Sequence, residues 1–205
     1  FPNSPDNANV SAVLESYRGN AARFGAYDAE GRGDAAEAER LYRLSLEHYE
    51  MMKSLTSVDA KPEDSPSIVA NRQFVYYSNI ASSYAGLNDI KNATEAIMEA
   101  RWAVDAMLSK DKDDKTAQLR LLALARVEQT ILIKRNKIAE ALRSAEAAKA
   151  SIARLSAEDP TNIEKTVYGM YFCQLAAKLY VPGRDDARIN QNQKELAKYV
   201  GTIHA

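Results

Sequence analysis

One spacing recurs along this chain. Tyr77, Ile80, Ala81 and Tyr84 fall at i, i+3, i+4 and i+7, the spacing of one face of an α-helix. Leu124, Val127 and Ile131 repeat it 47 residues later, and Phe172, Leu175, Ala176 and Leu179 repeat it after a further 48. Each set is followed by a turn signal: Asn88-Asp89, Asn136, then Pro182-Gly183. After the first two turns come apolar side chains at helical spacing, Ala93, Ile97 and Ala100, then the small Ala141, Ala145 and Ala148. A helix with a single apolar stripe must bury it against another element. A helix–turn–helix unit that returns at a fixed period buries it by stacking on the next unit. The pattern predicts an all-α solenoid of about four antiparallel helical hairpins, over residues 9–58, 65–110, 114–157 and 161–203. Glu128 stands where the repeat wants a small residue, so the third unit is a looser copy.

Helix boundaries support the same division. Ser65 can cap a helix whose first position is Pro66, where no N–H is needed. Asp89 can cap the helix that continues through Trp102, Val104 and Leu108. In the first unit Gly33-Asp34 marks the turn, Asp34 and Glu37 have capping-box spacing, and Ala38, Tyr42 and Leu46 form a stripe. Phe24 there takes the place of Tyr77 after a longer interval of 53. Leu55-Thr56, Leu108-Ser109 and Leu155-Ser156 each precede a polar, acidic loop. The last helix, about 187–203, carries Ile189, Leu196, Tyr199 and Val200 on one side and polar residues on the other, as the wet cap of a stack requires. Residues 1–8, with two prolines and two asparagines, are expected to form a disordered leader.

Composition narrows the function. With 27 basic and 28 acidic residues the net charge is −1, and no Lys/Arg run supplies a surface for nucleic acid. No apolar stretch approaches the roughly 20 residues that cross a bilayer. The single cysteine, Cys173, cannot form an internal disulfide and reads as a packed apolar side chain. The chain begins at Phe1, which suggests a processed protein or an excised piece of either bacterial cytoplasm or periplasm.

Catalysis needs convergent polar groups. His48 and His204 are the two histidines, and Ser45 stands where a Glu-x-x-His metal pair would need its glutamate. Gly31-Arg32-Gly33 lacks the rest of a phosphate loop. Asp111, Asp113 and Asp114 suggest calcium, but the loop's glycine and glutamate positions hold Thr116 and Leu122. These aspartates, with Asp64 and Asp159, read instead as caps in loops between units. Trp102 and most of the 11 tyrosines fall at core spacing. No catalytic residues, metal or cofactor are expected, and the chain reads as a binding protein rather than an enzyme.

The second unit resembles a tetratricopeptide (TPR) repeat, carried by Tyr77, Ile80, Ala81, Tyr84, Asn88, Ala93 and Ala100. Asn88 departs from the family's glycine, but asparagine also tolerates the left-handed conformation. A common TPR unit has about 34 residues, so a period near 48 implies helices about two turns longer. The resemblance implies a concave face built from the first helix of each hairpin. On that face would lie Val75, Ser78, Asn79 and Ser82, then Arg126, Thr130 and Lys134, then Gln174. It implies that Asn79 holds the backbone of an extended peptide or partner protein. The family's terminal-carboxylate clamp is not implied, since only Asn79 and Arg126 of its polar set are present. The long units and acidic loops also resemble TPR regions attached to bacterial serine/threonine kinases and regulators, which would make this the docking part of a signalling protein. Two other roles remain open: a small-ligand receptor or enzyme with a pocket inside the solenoid, and a homo-oligomer joined through Leu196, Tyr199 and Val200.

Overall fold

A computed structural model describes residues 5–55, 65–158 and 163–203. They form eight helices: α1 (Pro5–Gly31), α2 (Ala35–Leu55), α3 (Pro66–Gly86), α4 (Ile90–Leu108), α5 (Lys115–Lys134), α6 (Ile138–Glu158), α7 (Ile163–Leu179) and α8 (Asp186–Ile203). The fold is all-α, with no strand among the described residues. Helices α2 to α6 are 19 to 21 residues long, the added length expected from the period. The chain divides into two compact units, Phe1–Arg120 and Leu121–Ala205. In the first, α1 packs on α2, α2 on α3 and α3 on α4; in the second, α6 packs on α7 and α7 on α8. Helix α1 begins at Pro5, inside the stretch expected to be a leader; residues 1–4 lie outside the described residues, as do Asp64, Asp159 and His204.

Three of the four hairpins close in the same way. Gly33, Asn88 and Asn136 have φ of 77°, 59° and 56°, the left-handed region where a Cβ is unwelcome. The next residue donates its N–H five positions back: Asp34 to Ala29 O, Asp89 to Tyr84 O, Lys137 to Leu132 O. The left-handed residue donates to Glu30, Ala85 and Ile133 O respectively. These paired bonds are a Schellman closure, which satisfies carbonyls a helix end leaves unpaired. Asp34 and Asp89 then cap the following helix through the N–H of Glu37 (3.0 Å) and Asn92 (3.2 Å). The capping box at Asp34 is only half made. Its backbone N–H is already bonded to Ala29, and the Glu37 carboxylate pairs with Arg40 at 2.6 Å instead. The fourth turn differs: Gly183 has φ 82°, but its N–H goes to the Asp186 carboxylate at 2.7 Å, and Asp185 accepts from Val181 N.

The expected faces are largely the buried ones. Ile80, Ala81, Ala93, Ile97, Ala100, Leu124, Val127, Ile131, Ala141, Ala145, Ala148, Phe172 and Ala176 are all buried. Tyr77 and Tyr84 are only partly so, because α3 is gripped from both sides, by α2 and α4. Phe74, Tyr76, Ser83 and Ala85 therefore join its core. Two expectations fail. Trp102 and Phe24 are 64 % and 55 % exposed. On α4 the alanines 93, 96, 100 and 103 set the packing face, and Trp102 falls on its far side.

Three tyrosines lie flat on helical glycines of a neighbouring helix: Tyr49 on Gly19, Tyr42 on Gly86 and Tyr199 on Gly169. A Cβ added at Gly86 would stand inside 3.0 Å of the Tyr42 ring. These glycines weaken their own helices, at about 1 kcal/mol each relative to alanine, and in exchange let a ring seat against backbone. Glycine looks like a helix breaker in sequence, so these contacts are invisible there.

Candidate functional site

The positions assigned to the concave face fare unequally. On α3, Ser78 and Ser82 are buried, and their hydroxyls donate to Val75 O (3.4 Å) and Ser78 O (3.0 Å) within the helix. Val75 and Asn79 are partly buried. Among the described residues no side-chain hydrogen bond ties down the Asn79 carboxamide. In the second unit, the Arg126 guanidinium lies 5.8 Å from the centre of the Tyr171 ring, which brings α5 and α7 together. Thr130 donates to Arg126 O at 3.2 Å, while Lys134 and Gln174 are exposed on the same two helices. Tyr171 was not among the expected residues. An aromatic one position before the packed Phe172 reads as a core neighbour in sequence, and only the tertiary contact with Arg126 gives it another use.

A second locus lies between α6, α7 and α8, where Lys149 is 8 % exposed. Its ammonium donates to Asn192 Oδ1 at 3.0 Å and pairs with Glu195 at 2.8 Å and Glu146 at 3.4 Å. Asn192, fully buried, donates in turn to Cys173 O at 2.6 Å. Tyr180 donates to Glu146. Burial pulls the Lys149 pKa down, but the Glu195 hydrogen bond and the Glu146 charge outweigh it and hold the amine above its ordinary value. Burial likewise pushes the Glu195 carboxyl up, and bonds from Lys149 and Gln191 bring it below its usual range. The Cys173 thiol is pushed up to about 11, chiefly by burial. Lys149 is thus held as an ammonium and Cys173 as a thiol, and neither is poised as a nucleophile at neutral pH. Two clefts, of about 1040 and 650 Å³, open on this cluster and share Glu146, Lys149 and Glu195 in their walls. Arg143 and Arg188 line the larger one, with no salt bridge to either among the described residues.

The first unit has its own polar contacts. Glu15, almost fully buried on α1, accepts from His48 Nδ1 and Arg18, both at 2.6 Å. The His48 bond, partly opposed by burial, holds its carboxyl below the usual range. His48 is therefore a tie between α1 and α2, 33 residues apart in sequence, rather than a simple surface flank. The aspartates of the calcium-like stretch serve backbone: Asp114 accepts from Ala117 N at 3.0 Å and Asp111 from Asp113 N at 2.9 Å. Among the described residues no group of three or more His, Cys, Asp or Glu side chains is placed to hold a metal ion, and no helix is long and apolar enough to cross a membrane.

Comparison of the chain with protein-family models, with curated proteins and with solved structures finds no match.

Proposed function

We propose that this chain is a TPR-like interaction scaffold, without catalytic activity of its own, that holds a segment of another protein. The observation that carries the reading is the hairpin closure made three times over, at Gly33, Asn88 and Asn136, on helices that, α1 apart, are 19 to 21 residues long. A chain built from repeated hairpins presents rows of first-helix side chains, and such rows suit an extended segment better than a reacting centre. In the second unit the row is Arg126, Thr130, Lys134 and Gln174 beside Tyr171; in the first it is Val75 and Asn79. The nature of these groups fits backbone amides and acidic or aromatic side chains of a peptide, through the Asn79 carboxamide and the Arg126 guanidinium. A docking role within a larger bacterial signalling protein agrees with this reading.

The test is selection of a random peptide library on the whole chain, followed by anisotropy titration of the enriched peptides. Arg126→Ala or Asn79→Ala should weaken capture about tenfold, the order of one hydrogen bond to the bound segment. Enriched peptides that bind both variants as well as the parent would remove the site from these helices.

The larger α6–α8 cleft supports a second reading, a receptor for a small anion. Arg143 and Arg188 are the groups that favour it. Lys149, Asn192 and Glu195 satisfy one another, however, and leave no buried polar atom of the cluster for a ligand.

A further inference from the structure

Helix α1 is packed inside out. The face it turns to α2 consists of Ala12, Gly19, Ala22, Ala26 and Ala29 with the polar Glu15 and Arg23, all buried. Its large apolar residues point the other way: Val10, Val13, Leu14, Tyr17 and Phe24 are 50 to 69 % exposed. With Ala21, also exposed, they fall on one helical stripe.

We infer that this stripe is a dimerisation surface, on which α1 of a second copy lies antiparallel about a twofold axis through Tyr17. Three observations choose that occupant. First, the stripe is symmetric about Tyr17 except at Leu14, whose counterpart is the polar Asn20. Val10 stands seven residues before it and Phe24 seven after, so in an antiparallel pair each Val10 meets a Phe24. Each Val13 meets an Ala21, large against small. Such self-complementarity is what an isologous contact requires.

Second, the area matches. Five residues of this size at those exposures amount to about 500 Å² of surface. A standard interface buries about 800 Å² per partner, of which about 65 % is apolar in homodimers, or about 520 Å².

Third, the stripe carries almost no free charge. Arg18 is the one ionic side chain among the exposed positions from 10 to 24, and it is paired with Glu15 at 2.6 Å. Two copies can therefore meet without uncompensated like charges. This surface is distinct from the end-helix stripe expected from sequence, where Tyr199 is already seated on Gly169.

Sedimentation velocity of the whole chain over about 1 to 200 µM, the range in which an interface of this size reports, tests the inference. A concentration-dependent dimer is expected, and Tyr17→Glu or Leu14→Glu should give a monomer with unchanged helical circular dichroism. Tyr17→Cys, on the axis, should form a disulfide-linked dimer on mild oxidation, whereas Glu39→Cys on exposed α2 surface should not. A chain that stays monomeric throughout overturns the inference. So does a dimer that survives Tyr17→Glu, and a failure of Tyr17→Cys to cross-link overturns the antiparallel register. A mixed complex with a different helical protein in place of the dimer would also overturn it.

Discussion

Replacing Lys149 by methionine keeps the shape of the side chain and removes its charge. Lys149 is 8 % exposed and has three partners, so the cost can be worked from what each partner loses. Asn192 Oδ1 is left unpaired in a site where the residue is 1 % exposed. An unsatisfied buried acceptor costs about 1 to 3 kcal/mol. The Glu195 and Glu146 side chains are 32 % and 49 % exposed and can regain water, so each adds only about 0 to 1 kcal/mol. The total should be about 1 to 5 kcal/mol, less whatever the buried methyl regains. Urea unfolding followed by circular dichroism reads it, and the added change Asn192→Leu should recover part of the loss by removing the orphaned oxygen.

The loss should also depend on pH in a specific way. Glu195 has a folded pKa below 4.5, so its contribution is fully present above 4.5 and vanishes as pH falls through the folded value. Lys149 has a folded pKa above 10.5, so its contribution is fully present below 10.5 and vanishes as pH rises through the folded value. The stability difference between parent and Lys149→Met should be flat between those limits and shrink on both sides. A difference under about 0.5 kcal/mol at neutral pH, the range of ordinary surface changes, would refute the claim that this cluster ties α8 to α6 and α7.

Two other perturbations separate mechanisms that look alike in sequence. Gly86→Ala should destabilise by about 1 to 3 kcal/mol through overpacking against the buried Tyr42 ring, whereas Gly31→Ala, with nothing within 4 Å, should be neutral or stabilising; equal effects would rule out the close contact. Asn136→Ala should cost about 1 kcal/mol because φ is 56°, and Asn136→Gly should cost nothing; thermal melts in which glycine is the worse of the two would show that the asparagine side chain, not the backbone, matters there.

The turns were legible because their cause is local. A left-handed position needs glycine or asparagine whatever surrounds it, so Gly33, Asn88, Asn136 and Gly183 could be read from neighbours alone. The alanine faces of α4 and α6 were legible for a similar reason: few patterns other than close helix packing place alanine every three or four residues. Contacts between distant segments were not legible. Nothing in the local sequence tells Glu15 that His48 will face it, or Lys149 that Asn192 will. Asn192 looked like one more polar residue on a wet end helix, and it is among the most buried side chains in the chain. The face assigned to Ser78 and Ser82 failed because a helix gripped from two sides buries positions that a one-stripe reading leaves open.

The misplaced aromatics have one physical cause, and it changes how such a chain should be read. A stripe of Val, Leu and Tyr has the same period whether it points in or out. What decides its direction is the opposite face. Where that face carries alanine and glycine at helical spacing, two backbones can approach closely, and the gain in packing along the helix outweighs burying a few large side chains at a wider separation. Helix α1 follows this rule with Ala12, Gly19, Ala22, Ala26 and Ala29 inward and Tyr17 and Phe24 outward. Helix α4 follows it in part, with Ala93, Ala96, Ala100 and Ala103 inward beside Ile97, Val104 and Met107, and Met98 and Trp102 outward. In an alanine-rich hairpin chain, then, small residues mark the contact the fold makes. The large apolar residues left on the other side stay free for other contacts, and on α1 their arrangement about Tyr17 is what the proposed dimer rests on.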